Sequence, residues 1–459
     1  MLHESILLAS KSSLKAIIAL PFWLKYGKAQ FKHRISQISE IDAPNLPYNI
    51  DVLSLIKTAR SEGRPVFLTT AASNKVAQAV AQHLGVFDAV FSSDELTNLT
   101  SKIKAQRLVD TFGERGFDYI GDSKADLAVF ARARRAYLIS SRKSLRQAVQ
   151  GHHDIILLDS ANGGSRVWGR ALRLHQWLKN LLVFVPLLAA HQATDPQLLL
   201  STIIAFLSFS ACASSVYLLN DLLDLPADRK HNRKKTRPFA AGELSIRSGL
   251  VAIPLLLAAS IFLALQLPPR FIAALGSYYM LTLAYSFFLK KQVIVDVMLL
   301  ASLYTLRIIA GSVATDIKPS FWLLTFSMFV FLSLALVKRY SELRAAVTAS
   351  KVALTGRGYH ADDLPVVLSL GSSSGMVSVL ILAMYTQAEI VPSMYAAREW
   401  LWLAPPLMLY WTARLWMKAA RGEVNEDPVI FAAKDWQSLT VALMIACTFL
   451  LAMSEIKLW

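Results

Sequence analysis

Cysteine and charge are the two things this chain nearly does without. Its 459 residues include only two cysteines, Cys212 and Cys447, both inside apolar stretches. That excludes a disulfide framework and any cysteine-based metal spacing. Charged residues make up 17% of the chain against 54% apolar ones, and mean hydropathy is +0.41. Soluble globular chains carry about a quarter charged residues, so a wholly soluble fold is excluded. Acid is the scarcer sign, 32 residues against 48 Lys and Arg, for a formal net charge of +16. The clustered cations flank apolar runs, which reads as membrane topology and contact with anionic lipid headgroups, with no nucleic-acid partner. A leader pattern is missing too. The stretch from Leu2 to Ile35 is broken by Glu4, Lys11, Lys15, Lys25 and Lys28, and no small-residue cleavage site follows it. It reads as a helical segment of a soluble part.

What the chain does have is apolar blocks, unevenly placed. From about Asn180 onward they are long enough to cross a bilayer, which takes roughly 20 apolar residues. Earlier blocks are short and charge-broken. The division expected is a soluble domain over 1–160 and a membrane domain over 161–459. Nine candidate spans lie at about 178–190, 198–219, 248–267, 270–288, 292–316, 320–337, 366–388, 399–420 and 437–455. Loops after the even spans hold 17 Lys and Arg, and loops after the odd spans hold 3. The positive-inside rule then places the even loops and the N-terminal domain in the cytoplasm and the C-terminus outside, across an inner (cytoplasmic) membrane.

At the cytoplasmic end of the second span stands Asn220-Asp221-Leu222-Leu223-Asp224-Leu225-Pro226-Ala227-Asp228. Carboxylates at i, i+3 and i+7 share one face of a helix. Three anions that close repel unless a cation sits among them. Oxygen-only ligands at a water boundary suit Mg²⁺, which binds jointly with substrate phosphates. The basic run behind them (Arg229, Lys230, Arg233, Lys234, Lys235, Arg237) would hold phosphate charge, arginine doing so bidentately. Solvated boundary residues would explain one such Asp but not three in register before six cations. A second cluster, Tyr285, Lys290, Asp296 and Arg307, lies at the mouth of spans four and five. Ionisable groups inside an apolar stretch are costly and usually functional. The rival reading is an Asp296–Arg307 pair that holds helices together. Before the first span, Arg173, Gln176, Trp177, Lys179 and Asn180 sit at the interface, where snorkelling anchors would look the same.

These residues carry a resemblance. Asn-Asp-x-x-Asp-x-x-x-Asp after the second span, a Tyr/Lys/Asp cluster in later spans and nine helices resemble the UbiA superfamily of intramembrane prenyltransferases. Gln176-Trp177-x-Lys179-Asn180, Asp228-Arg229 with His231, Lys234, Arg237-Pro238 and Gly242, and Tyr285-Ser286 with Leu289-Lys290 resemble its polyprenyl-phosphate phosphoribosyltransferase branch. Leu174 and Asn232 depart from it, standing where that branch usually has proline. The resemblance implies transfer of phosphoribose from phosphoribosyl pyrophosphate (PRPP) to a polyprenyl phosphate, with Mg²⁺ on Asp221, Asp224 and Asp228. Lys179 and Asp296 join these as catalytic residues. Asn220, Arg173, Gln176, Arg229, Lys234, Arg237, Tyr285, Lys290 and Arg307 would bind substrate. A homo-oligomer is compatible with this reading.

Residues 64–139 alternate strand and helix, the pattern of a parallel sheet with helices on both faces. Thr70 at a strand end, Lys104 on a helix, and Gly121-Asp122-x-x-x-Asp126 after a strand resemble, in that order, the haloacid-dehalogenase-like (HAD-like) phosphohydrolases. Residues 5–50 would be a helical cap. No Asp-x-Asp precedes Thr70, so in this chain the domain lacks that family's nucleophile and general acid. The fold expected is therefore a HAD-like α/β domain joined to an all-α membrane domain. Two other functions stay open. One is a prenyltransferase that joins a polyprenyl diphosphate to an aromatic acceptor. The other is a lipid-binding protein or transporter, which would call for inverted repeats and helices broken at mid-membrane.

Overall fold

The computed structural model describes residues 2–12, 22–23, 25–140, 143–149, 155–158, 164–349, 357–424 and 427–456. They form two compact units, Met1–Leu172 with Tyr217–Ile253, and Arg173–Val216 with Pro254–Trp459. The division differs from the expected boundary at 160/161, because the first unit takes in the aspartate-bearing segment. Ion pairs within that unit account for this. Glu4 pairs with Arg229, Asp42 with Lys230 and Glu243 with Arg170. Gly242, at φ +74°, also lies so close to Pro47 that a Cβ there would meet its ring at 3.1 Å.

The first unit holds five parallel strands. β1 (Phe67–Ser73) pairs with β2 (Ala89–Ser93); β3 (Asp118–Gly121), β4 (Arg135–Ile139) and β5 (Ile155–Leu158) pair in that order. Among the described residues these make two sheets, not the single sheet expected. Side chains do the joining that backbone pairing does not. The Phe112 ring stands 4.8 Å from that of Phe67 and 6.3 Å from that of Phe117, and Arg64 bonds Asp118 at 2.5 Å. Helix Ser101–Phe112 buries Ala105 and Leu108 among Phe91, Phe117 and Tyr119, and so spans both sheets. In the cap region, helices Leu2–Ser12 and Lys28–Ile38 pack through Ala9, Phe31 and Ile35. Part of the expected cap, 13–21 and residue 24, lies outside the described residues.

Each expected span falls on helical residues, but they are not nine equal crossings. Six helices among the described residues are long and apolar enough to cross a membrane: Pro196–Leu223, Ile246–Ala264, Val295–Thr315, Phe321–Thr348, Ala361–Tyr385 and Trp436–Met453. The first expected span is a 3-10 helix, Leu174–Phe184, running into Val185–Ala189, and it buries the polar Lys179 and Asn180. The eighth, Ala404–Arg421, carries Arg414, Lys418 and Arg421. The core of the second unit gathers Val297, Ala301, Tyr304 and Ile308 against Phe331, Leu334, Val337 and Leu343. Gly311 decides one approach. A Cβ there would sit 2.0 Å from the Val183 carbonyl oxygen, so only glycine lets Val295–Thr315 lie against Leu174–Phe184. That contact brings Lys179 and Asn180 alongside Arg307.

Candidate functional site

Helix Pro196–Leu223, whose last residues from Tyr217 belong to the first unit, stops just short of Asp224. Asp224 caps the short helix Leu225–Lys230, with Pro226 in its first turn, where its missing N–H costs nothing. The three aspartates therefore do not line one unbroken helix. Their spacing survives because Asp224 N–H donates to the Asn220 carbonyl and Asp228 N–H to the Asp224 carbonyl, both at 2.8 Å. Asp221 and Asp228 are 2% and 1% exposed, while Asp224 is half-buried. Arg237 Nη1 donates to both buried carboxylates, to Asp221 Oδ1 at 3.1 Å and to Asp228 Oδ2 at 2.7 Å. Burial pushes the Asp228 carboxyl above the usual carboxylate range, with the Asp221 charge adding to it and Arg237 opposing. Lys234 adds a second positive charge that acts on Asp228 in the same sense as Arg237.

Among the described residues no group of three or more His, Cys, Asp or Glu side chains is placed to hold a metal ion. The pair that remains still fits Mg²⁺, which commonly takes one or two carboxylates and completes its shell with substrate phosphates and water. The basic run divides. Arg229 makes a bidentate, buried pair with Glu4, and Lys230 Nζ lies 2.7 Å from Asp42. Arg233, Lys234 and Lys235 are exposed. His231 Nδ1 accepts the Arg233 N–H at 3.2 Å, which fixes the start of that turn.

The second unit holds two polar clusters. In one, the Lys179 ammonium lies 2.6 Å from Asp427 and over the Tyr304 ring, and Lys338 approaches the same carboxylate at 3.5 Å. Lys179 and Lys338 together outweigh the effect of burial and hold the Asp427 carboxyl below its ordinary range. A cavity of about 40 Å³ opens among these residues. Next to them Asn180 donates to Ser210 Oγ at 3.0 Å and accepts from Arg307 Nε at 2.9 Å; Arg307 also donates to Tyr278 and to the Leu303 carbonyl. In the other cluster, Asp296 and Arg339 are both wholly buried and 2.6 Å apart, in contact by charge but not aligned as a hydrogen bond. Asp296 accepts from Tyr359 at 2.7 Å, with Arg357 at 3.6 Å, and Arg357 in turn donates to Tyr285 at 3.0 Å.

The expected grouping of Asp296 with Arg307 is thus not formed. Eleven residues on one helix separate them by about 16 Å along its axis. Tyr285 joins Asp296 through Arg357, while Lys290 is half-buried in the turn Leu289–Lys291. Arg173 takes a left-handed conformation (φ 53°) at the head of Leu174–Phe184. Gln176 lies 3.2 Å from His175, and Trp177 Nε1 donates to Ser214 Oγ at 3.0 Å. Sequence reasoning missed Glu4, Asp42, Asp427, Lys338 and Arg339. Only Asp427 carried a local signal, as an Asp-Pro helix start.

In the strand-bearing part of the first unit, Lys104 Nζ meets Asp126 Oδ1 at 3.0 Å and the Tyr119 hydroxyl at 2.9 Å. Asp126 also accepts from the Ser123 hydroxyl and from the Asp122 N–H, at 2.6 and 3.3 Å. Burial pushes the Asp126 carboxyl up, but Ser123, Lys104 and Tyr119 outweigh it and hold it below its usual range. Thr70 lines a separate cavity of about 210 Å³ with Lys32, Ser73, Leu2 and Ser5.

Compared with known proteins, residues 181–439 match the sequence profile of the UbiA prenyltransferase family. The chain is 37% identical to the uncharacterized protein y4nM of Sinorhizobium fredii over 98% of its own length and 88% of that relative. It is 35% identical to the nodulation protein NoeC of Azorhizobium caulinodans, over 60% of this chain and 90% of NoeC. It is 36% identical to the decaprenyl-phosphate phosphoribosyltransferase of Mycolicibacterium smegmatis, over 45% of this chain and 67% of that enzyme.

Proposed function

The chain belongs to the UbiA prenyltransferase family, as a multi-pass membrane transferase, and on that premise we propose that it moves 5-phosphoribose from PRPP to a polyprenyl phosphate. The carrying observation is the buried Asp221–Asp228 pair bridged by Arg237, with exposed cations on the same segment. In the step proposed, the bond between ribosyl C1 and the diphosphate oxygen breaks as an oxygen of the lipid phosphate bonds to C1. Diphosphate leaves with the electron pair. The lipid phosphate is already ionised, so no strong base is required. Asp221 and Asp228, with Asp224 beside them, would hold Mg²⁺, which when bound neutralises the leaving diphosphate. Arg237 holds both carboxylates in place, and Lys234 with its exposed neighbours receives phosphate oxygens. Lys179, shared with Asp427, is the cation assigned to the lipid phosphate.

Similarity to the mycobacterial enzyme, and the Gln176-Trp177-x-Lys179-Asn180 segment, favour PRPP over an aromatic acceptor. The N-terminal part is read as a HAD-like domain on the order of Thr70, Lys104, Asp122 and Asp126 and on the Lys104–Asp126 pair. The membrane is read as the cytoplasmic one, with the even loops inside. The test incubates the purified chain with labelled PRPP, Mg²⁺ and polyprenyl phosphate. Label should pass into an organic-extractable ribose phosphate. Product from an aromatic acid and polyprenyl diphosphate alone would overturn the PRPP reading, and no transfer from any donor would leave a lipid-binding protein.

A further inference from the structure

Two successive cations beside the aspartate pair are already engaged, and both partners come from the N-terminal domain. Arg229 directly follows Asp228. Its guanidinium is 9% exposed and faces Glu4, itself 8% exposed, through both of its terminal nitrogens. Lys230 lies 2.7 Å from Asp42, whose carboxyl that hydrogen bond holds below its ordinary range. Glu4 sits on helix Leu2–Ser12, anchored by the fully buried Ala9 against Phe31 and Ile35. Asp42 precedes the turn Ala43–Asn45, which Tyr48 ties down by donating to the Ala43 carbonyl at 2.8 Å. Both acids are therefore held by their own surroundings, and each grips the short helix that carries Asp228.

A buried guanidinium paired bidentately is not free to bind phosphate. Releasing it would leave the Glu4 carboxylate buried without a partner, which is strongly unfavourable. Glu4 and Asp42 thus do two things together. They engage Arg229 and Lys230, and the burial of Arg229 leaves phosphate binding to the exposed Arg233, Lys234 and Lys235. They also fix the helix Leu225–Lys230, and through it the position of Asp228 relative to Asp221.

We propose that Glu4 and Asp42 are positioning residues of the transferase site, through which the N-terminal domain holds the aspartate segment in its metal- and phosphate-binding form. The assignment of that segment rests on the function proposed above; the coupling itself can be tested without it. The full-length protein in lipid nanodiscs is assayed as wild type, Glu4→Gln, Asp42→Asn and the charge-swapped E4R/R229E. The first readout is tryptic cleavage at the exposed Arg233–Lys235 run, which reports how firmly the segment is held whatever the reaction. Glu4→Gln should speed cleavage by at least about fivefold, and E4R/R229E should return it to within about twofold of wild type. Asp42→Asn, at the more exposed pair, should have a smaller effect of the same sign and serves if Glu4→Gln fails to fold.

The second readout is transfer. Glu4→Gln should raise the KM for PRPP and the Mg²⁺ concentration for half-maximal rate by about tenfold, with kcat changed less, and the charge swap should restore both. Unchanged cleavage in both single variants overturns the proposal. So does a lowered KM in Glu4→Gln with no rescue by the swap, since Arg229 would then be a phosphate ligand that Glu4 restrains. If cleavage responds and is rescued while no donor supports transfer, the coupling stands and the proposed reaction falls.

Discussion

Replacing Arg339 by Met puts the role of Asp296 to a direct test. The network around it balances two acids, Asp296 and Glu342, against two bases, Arg339 and Arg357. Asp296 and Arg339 are wholly buried, whereas the Glu342 and Arg357 side chains are 34% and 23% exposed. Arg339→Met removes one base and leaves a surplus negative charge on the buried side. Truncating one member of a buried pair costs about 3–5 kcal/mol. Asp296 keeps the Tyr359 hydroxyl at 2.7 Å and Arg357 at 3.6 Å, so the lower end, about 3 kcal/mol, applies. At about 2–4 °C per kcal/mol for a unit of this size, the melting temperature in detergent should fall by about 6–12 °C. The double variant D296N/R339M keeps one acid with one base, and neutral groups replacing a buried ion pair are often tolerated. It should melt within about 3 °C of wild type, the stability lost in the single variant being recovered. If Asp296 is a brace, the double variant also transfers at near the wild-type rate. A double variant that is stable yet inactive refutes the reasoning and returns Asp296 to the chemistry, where the sequence placed it.

Asp221→Asn and Asp228→Asn should each lower turnover by at least about 100-fold while extraction and elution remain normal, and Asp224→Asn, at a half-buried helix cap, should be less severe; full activity in any of the three would remove that residue from the site. Gly311→Ala should cost about 1–3 kcal/mol by forcing a Cβ against the Val183 carbonyl, read as a lowered melting temperature together with a weakened dependence of rate on lipid phosphate. Lys104→Met should destabilise the N-terminal domain by about 3 kcal/mol, because Lys104 and Asp126 are only 9% and 6% exposed. The sign with pH follows from the folded Asp126 carboxyl lying below its ordinary value. Its pairing stabilises the fold above the unfolded carboxylate pKa of about 3.9 and is lost as pH falls through the lower folded value. Melting curves of the full chain should therefore show an acid-induced loss that Lys104→Met flattens.

Length and polarity of the apolar blocks made the helical membrane part legible, since burial of continuous apolar runs is a local property of sequence. Blocks that hide polar groups were less so. The first expected span is a 3-10 segment that buries Lys179 and Asn180, with Asn180 bonded to both Ser210 and Arg307. The aspartate motif was legible as a carboxylate cluster beside cations but not as geometry. Spacing alone puts Asp221, Asp224 and Asp228 on one face, whereas the helix ends before Asp224 and Arg237 stands between the outer two. The grouping of Asp296 with Arg307 mistook proximity in sequence for proximity in space. Its true partners, Arg339, Arg357 and Tyr359, come from chain segments more than forty residues away. Parallel strands in the N-terminal part were legible from their alternation with helices, but the way they divide between sheets depends on pairings that no local pattern encodes.

The acids missed in the sequence share a feature that explains why they were missed. Glu4, Asp42 and Asp427 each stand far along the chain from the cation they bind: Arg229, Lys230 and Lys179 respectively. Read along the chain, those cations looked like topology markers or phosphate ligands, because nothing nearby balanced them. A membrane-boundary cation has three possible fates: solvent and headgroups, a phosphate ligand, or a buried acid. Only the third is invisible to spacing. In this protein the third fate takes Arg229 from the run behind Asp228, Lys230 stays largely exposed beside Asp42, and Arg237 is committed to the aspartates themselves. Arg233, Lys234 and Lys235, all exposed, follow the buried pair in the chain. In the proposed reaction, a phosphate-rich donor would meet that set first, before its diphosphate reaches Asp221 and Asp228. Positive charge is thus graded along the segment from exposed to partly buried and paired, which would suit capture of a donor followed by its immobilisation.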